Sequence, residues 1–272
     1  LTFNMGGVFG LVFTDYSLFS FYRIKTEIIE KLKSSMNSDS VIGVVGAGTM
    51  GTGIAQVAAT GGHKVYLYDS FSEQLSRSEE GLRSILQRQV EKERVTQDEV
   101  DDILNRIQFV EDLTGYGECG LVIEAVIEDL EVKKDVFQRL EGIVSRKCIL
   151  ATHNSSLSIA SISSVLKKPE RLLGIHFFNP APLMPLVEII PGISTKEETI
   201  KAARKLVDDW GKTTVLAKDT PGFIVNRVAR PFYGEALRML EEREADVATI
   251  DWAMKEMGGF RMGPFELMDF IG

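Results

Sequence analysis

The chain has 272 residues, 44% hydrophobic and 26% charged, the balance of a globular protein with a real core; disordered, collagen-like and disulfide-stapled chains are excluded. Its 31 basic and 39 acidic residues leave a formal charge of −8, so no global positive field recruits nucleic acid. Two cysteines, Cys119 and Cys148, build no disulfide framework and suit a reducing compartment.

Residues 1–40 read as an extension and linker of unknown role. Met5–Phe13 is apolar, but Asp15 follows too soon for a membrane span. No basic region precedes the apolar run, and Arg and Ser are not abundant, so neither a signal peptide nor a presequence is expected.

From Val41 onward short apolar runs alternate with helical periods. Val41–Val45 and Lys64–Tyr68 read as strands, with a helix over Met50–Thr60 stopped by Gly61-Gly62. Ser72 to Arg106 reads as a pair of charged helices, the second opened by a capping box from Thr96 to Glu99. Further apolar runs lie at Leu121–Val126, Cys148–Thr152, Leu172–Phe178, Leu186–Ile190 and Thr214–Ala217. This alternation predicts an α/β, Rossmann-like domain with a mainly parallel sheet over 41–218.

After Lys218 only helical periodicity remains, over Phe223–Glu242 and Val247–Met257. Asp219 precedes Thr220-Pro221 as a cap would precede a helix start. Residues 219–272 are therefore expected to form an all-α carboxyl-terminal domain, too small to stand alone and packed on its neighbour or on a second chain. A helix just under way at Phe265–Phe270 makes that domain look incomplete.

Gly46-Ala47-Gly48-Thr49-Met50-Gly51 fits G-x-G-x-x-G after a strand and at a helix start, and Asp69 ends the next strand 23 residues after Gly46. That context is the dinucleotide fingerprint. Gly46 serves the tight turn, Gly48 the approach of backbone to pyrophosphate, and Gly51 the close packing of helix on strand, while the helix N-terminus supplies partial positive charge. Asp69 would accept from the ribose hydroxyls and repel a 2′-phosphate, so the expected cofactor is NAD. No metal site is expected.

Three further clusters follow: Ala151-Thr152-His153-Asn154-Ser155-Ser156, then Gly174-Ile175-His176-Phe177-Phe178-Asn179-Pro180 with Val187-Glu188 beyond it, and Asp219 to Arg227. With the glycine loop, and in this order, they resemble the short-chain L-3-hydroxyacyl-CoA dehydrogenases, which include 3-hydroxybutyryl-CoA dehydrogenases. The resemblance runs from about Val41 to Gly272 through Met262-Gly263-Pro264-Phe265-Glu266. It implies NAD-dependent oxidation of (S)-3-hydroxyacyl-CoA to 3-oxoacyl-CoA, as in fatty-acid β-oxidation. Histidine suits the general base near neutral pH. The resemblance makes His176 that base and Glu188, twelve positions on, its orienting acid.

The resemblance also implies that Ser155 and Asn226 position the substrate, that Glu128, Lys133, Ser155 and Asn179 contact the cofactor, and that Lys92 lies near the CoA phosphates. Alone, Ser155 reads as a helix cap, Asn226 as a solvated helix residue, Glu128 and Lys133 as a solvated helix start, and Lys92 as part of a charged face. His63 reads as a turn residue. The chain departs from the family pattern where His153-Asn154 replace Asn-Thr, which makes His153 a rival base, and where Ile85 replaces a serine. The family also continues for some tens of residues past Gly272, including a lysine near the cofactor and part of a homodimer interface. The mitochondrial matrix is the favoured compartment, with the cytoplasm as alternative. Rival functions are a related hydroxy-acid dehydrogenase of the L-gulonate type and a non-catalytic NAD-binding protein.

Overall fold

The computed structural model describes residues 40–271, all within one compact unit spanning Asp39–Gly272. The extension read over 1–40 lies, apart from Ser40, outside the described residues. An eight-stranded sheet forms the centre, in the order β3-β2-β1-β4-β5-β6-β7-β8. Its strands are β1 (Val41–Val45), β2 (Val65–Tyr68), β3 (Ile107–Val110), β4 (Cys119–Glu124), β5 (Ile149–Thr152), β6 (Leu172–Phe177), β7 (Leu186–Pro191) and β8 (Thr213–Leu216). All pairs are parallel except β6 with β7, so β7 and β8 run against the other six.

The central strands are buried almost without a break, as expected where helices cover both faces of a parallel sheet. One face is covered by α1 (Thr49–Thr60), α2 (Ser72–Glu91), α3 (Gln97–Arg106) and α6 (Glu197–Asp209), whose Ile54, Leu82, Val100 and Ala203 join one apolar cluster. The other is covered by α4 (Leu130–Ile143) and α5 (Ile159–Ser163), through Phe137, Leu140, Ile159 and Ile162. Phe137 and Leu140 lie three apart on α4 and are both fully buried, each stabilising the fold by roughly 1.5–3 kcal/mol.

Beyond the sheet come α7 (Val225–Glu241), α8 (Val247–Trp252), a π-helical turn over Ala253–Met257, and α9 (Pro264–Ile271). The capping box at Thr96 is present in both directions: Thr96 accepts from the Glu99 amide, and Glu99 accepts from the Thr96 amide.

Four expectations need correction. Ile107–Val110 is a strand that the sequence reading left out, because it follows α3 with no Gly or Pro between and Ile107 is at once cap and first strand residue. Asp219 does not cap the helix after it, which begins at Val225; its carboxylate accepts from the amides of Ile159 and Ala160 and from Ser158 Oγ, at 2.9–3.0 Å, and so caps α5. His63 is buried, with Nδ1 2.9 Å from the Ser40 carbonyl and its ring edge-on to Trp210. Lys133 is no solvated helix residue: its side chain is fully buried.

Candidate active site

The carboxyl ends of β1, β4, β5 and β6 line one edge of the sheet, and the strand order reverses between β1 and β4, where open α/β sheets bind ligands. Three of the four sequence clusters, and Glu128, sit at these ends: the glycine loop after β1, Glu128 after β4, Ser155 after β5 and His176 at the end of β6, while the cluster from Asp219 to Arg227 follows β8. Adjacent strands lie about 4.8 Å apart, so residues far apart in sequence meet across this edge.

The glycine loop is tightly packed at Gly46 and Gly51 and open at Gly48. Gly46 has φ +105°, and a Cβ there would lie 2.5 Å from the Ala125 carbonyl. A Cβ on Gly51 would lie 1.8 Å from the Gly46 carbonyl, so α1 packs directly on the turn. Over Gly48 a Cβ would meet nothing within 4 Å, which leaves open space at the helix start. No side chain caps α1 at Gly48 and its first turn holds no acid, so the N–H groups of Thr49 and Met50 at this end suit an anion. Ala47 is buried and donates its amide to Asp69 Oδ2 at 2.8 Å, while Asp69 Oδ1 accepts from the Phe71 amide at 3.0 Å. Asp69 is thereby held at the rim of the loop. Gln74, which the sequence reading passed over, donates to the Ala47 carbonyl at 2.9 Å from the first turn of α2.

Glu128 and Ser155 are 27 residues apart and in direct contact: the amide of Ser155 donates to Glu128 Oε1 at 3.1 Å and its hydroxyl at 3.0 Å. Ser156 Oγ adds a further donor at 2.5 Å. Burial works to raise the Glu128 carboxyl, but these hydrogen bonds outweigh it and hold the group below the ordinary glutamate range.

His176 and Glu188 are directly opposite each other in the antiparallel β6–β7 pair. Their side chains share a face, and His176 Nδ1 lies 2.7 Å from Glu188 Oε2. The other oxygen, Oε1, accepts from the amides of Ile224 and Val225, each at 2.9 Å. One carboxylate therefore orients the imidazole and satisfies the N-terminus of α7, the helix that carries Asn226. Burial alone would raise the Glu188 carboxyl; the bonds from His176, Val225 and Ile224 outweigh it and lower it. The rings of Phe178, His153 and Phe223 surround the His176 ring at 4.7, 5.6 and 5.6 Å.

Lys133 and Glu124 form an ion pair of 2.5 Å with both side chains fully buried. Thr152 Oγ1 and the Val126 amide, each at 2.7 Å, complete the donors to Glu124. Burial nevertheless pushes the Glu124 carboxyl up. The Lys133 ammonium is enclosed between Glu124 and, at 3.3 Å, the His153 carbonyl. The signal for Glu124 was present in the sequence as an acid inside the apolar run Leu121–Val126.

The remaining candidates are less closely tied. Asn179 is exposed just past β6, and Asn226 is half-buried in the first turn of α7. Lys92 is exposed at the far end of α2, whose twenty residues extend about 30 Å, and its ammonium makes no ion pair among the described residues. Among the described residues no helix is long and apolar enough to cross a membrane.

Comparison with known proteins agrees with this geometry. Residues 41–220 match the family model described as 3-hydroxyacyl-CoA dehydrogenase, NAD binding domain, and residues 222–272 match that of the C-terminal domain. A 3-hydroxyadipyl-CoA dehydrogenase of Escherichia coli is 46% identical over 85% of this chain, which spans only 49% of that protein. A 3-hydroxybutyryl-CoA dehydrogenase of Bradyrhizobium diazoefficiens is 42% identical over 85% of this chain and 79% of its own. The human mitochondrial hydroxyacyl-coenzyme A dehydrogenase is 40% identical over 84% of this chain and 75% of its own. Among solved structures, an (S)-3-hydroxybutyryl-CoA dehydrogenase from Ralstonia eutropha superposes with a TM-score of 0.83 at 36% identity, covering 85% of this chain and 82% of that one. With both family models matched in order along the chain, this chain belongs to the 3-hydroxyacyl-CoA dehydrogenase family.

Proposed function

We propose that the protein oxidises (S)-3-hydroxyacyl-CoA to 3-oxoacyl-CoA, reversibly, with NAD. The observation that carries this reading is the His176–Glu188 bond of 2.7 Å at the crevice that also holds the glycine loop. Names borne by the relatives support the substrate class.

NAD, when bound, supplies the hydride acceptor. Gly46 to Gly51 and Asp69 would hold it, with Glu128 and Asn179 beside it. His176 Nε2 takes the proton of the substrate hydroxyl as the carbinol carbon loses its hydride and becomes a carbonyl. Glu188 keeps the His176 proton on Nδ1 beforehand and stabilises the imidazolium afterwards. Ser155 and Asn226 hold the substrate oxygens, and Lys92 serves the CoA phosphates.

The test is NADH oxidation with acetoacetyl-CoA against free acetoacetate. The reading expects turnover with the thioester only; equal use of the free acid would favour the small hydroxy-acid alternative. His176→Ala is expected to lower turnover about 10²–10⁴-fold with NADH affinity nearly unchanged.

A homodimer through residues 219–272 is part of this proposal, supported by the exposed Val228, Leu237, Trp252 and Phe260. Sedimentation of wild type against Leu237→Glu tests it, the variant being expected to run as a monomer. For compartment, the human relative supports the mitochondrial matrix and the bacterial relatives support a cytoplasm; imaging the tagged full-length protein decides between them.

A further inference from the structure

Among the described residues, three that are not glycine have a positive φ: Glu93 at +52°, Phe223 at +46° and Arg243 at +60°. Glu93 and Arg243 are exposed and stand one residue past the C-caps of α2 and α7, where a left-handed residue is a common helix ending. Phe223 is different. It precedes a helix instead of ending one, it is buried, and its bulky side chain is ill suited to this conformation. Glycine would take the same φ without strain, as Gly222 does beside it at +77°. The chain therefore keeps a side chain where the backbone favours none, and strain held in this way directs attention to what that side chain touches.

The contacts are with the reacting pair. The Phe223 ring lies 5.6 Å from the His176 ring in a T-shaped arrangement, 63° between planes, and joins the apolar cluster that holds Ile159, Ile190 and Ala217. Its turn is fixed on both sides: the Phe223 amide donates to the Thr220 carbonyl at 3.0 Å, and the Gly222 carbonyl accepts from the Arg227 amide at 3.0 Å. The next two amides, of Ile224 and Val225, leave this turn aimed at Glu188 Oε1, each at 2.9 Å. One residue thus touches the imidazole with its ring and directs the donors of the carboxylate with its backbone.

We propose that Phe223 is a positioning residue for the reaction: its left-handed turn locks the His176 imidazole and the Glu188 carboxylate in one mutual geometry. This rests on the function proposed above. Phe223 itself moves no proton.

Proton NMR of the ligand-free protein reads the pair without using activity. At low temperature the wild type is expected to show a far-downfield resonance from the proton between His176 Nδ1 and Glu188 Oε2; its absence overturns the proposal. Phe223→Gly accepts the same φ and deletes the ring. In that variant the resonance is expected to broaden away as the loosened pair exchanges with water. Its kcat with acetoacetyl-CoA should fall about 10–10²-fold, while NADH affinity in a fluorescence titration stays near wild type. A folded Phe223→Gly with the resonance and kcat of wild type, weakened only in urea, shows the ring to be structural and overturns the proposal. Should that variant fail to fold, Phe223→Leu decides, because it fills the cluster but offers no flat ring to the imidazole. A weakened resonance with lower kcat then supports the positioning role, and wild-type values of both overturn it. A protein whose resonance depends on Phe223 but which turns over neither acetoacetyl-CoA nor free acetoacetate would refute the proposed function and leave the placement of the pair standing.

Discussion

Glu124 and Glu188 are both fully buried glutamates at the crevice edge of the same sheet, and their carboxyls shift in opposite directions. Glu124 has a full charge beside it in Lys133 and two further donors, yet burial prevails and its carboxyl rises. Glu188 has an imidazole and two amides of a helix N-terminus, and its carboxyl falls. Partner exposure separates them: the Lys133 side chain is 0% exposed and that of His176 8%. Depth makes the Glu124 pair costly and structural, whereas Glu188 lies close enough to the open crevice for hydrogen bonds to prevail. A buried acid's function is decided by what its donors are attached to.

The largest expected effect is on catalysis at the Glu188 end. Glu188→Gln should lower turnover about 10²–10⁴-fold through loss of the anion that orients and stabilises the His176 imidazolium, with NADH affinity nearly kept. Unchanged turnover would erase the distinction between the two acids. At the Glu124 end the effect should be on stability instead. Lys133→Met leaves a buried carboxylate unpaired and is expected to cost about 3–5 kcal/mol in urea unfolding, with Glu124→Leu/Lys133→Met regaining part of the loss. A single variant as stable as wild type would show the pair to be hydrated.

Acid unfolding sharpens the comparison further. His153 titrates near 6.5 when unfolded and about 4 when folded, so the unfolded chain binds the extra proton between those values. Stability is expected to fall by about 3 kcal/mol from pH 6.5 to pH 4, and His153→Asn should flatten that limb. Glu188, lowered on folding, contributes stability that is lost as pH falls through its folded value; Glu124, raised on folding, acts in the opposite sense. The smallest effect concerns the cofactor. Asp69→Ala should reduce the kinetic preference for NAD over NADP by about tenfold, one charged contact's worth; an unchanged ratio would remove Asp69 from the ribose.

Much of this fold was legible in local pattern. The glycine loop, the strand before it, the helix after it and Asp69 form one continuous segment, so their geometry follows from neighbours in sequence. The capping box at Thr96 is equally local. Ile107–Val110 was not legible, because pairing with β2 makes it a strand and no turn announces it. Lys133 and Asp219 were misjudged for a similar reason: their partners lie 9 and about 60 residues away, and a charged residue near a helix start reads as solvated until the opposite wall is known.

By itself, the sequence determined the alternation of strands and helices, the anion-binding turn and the residue types available for proton transfer, because periodicity, glycine conformation and side-chain chemistry are local properties. Only the tertiary structure decided which buried acid faces an open imidazole, and that Glu188 holds the start of the helix bearing Asn226. Those choices depend on the antiparallel register of β6 with β7 and on burial depth, and both arise from contacts between distant segments.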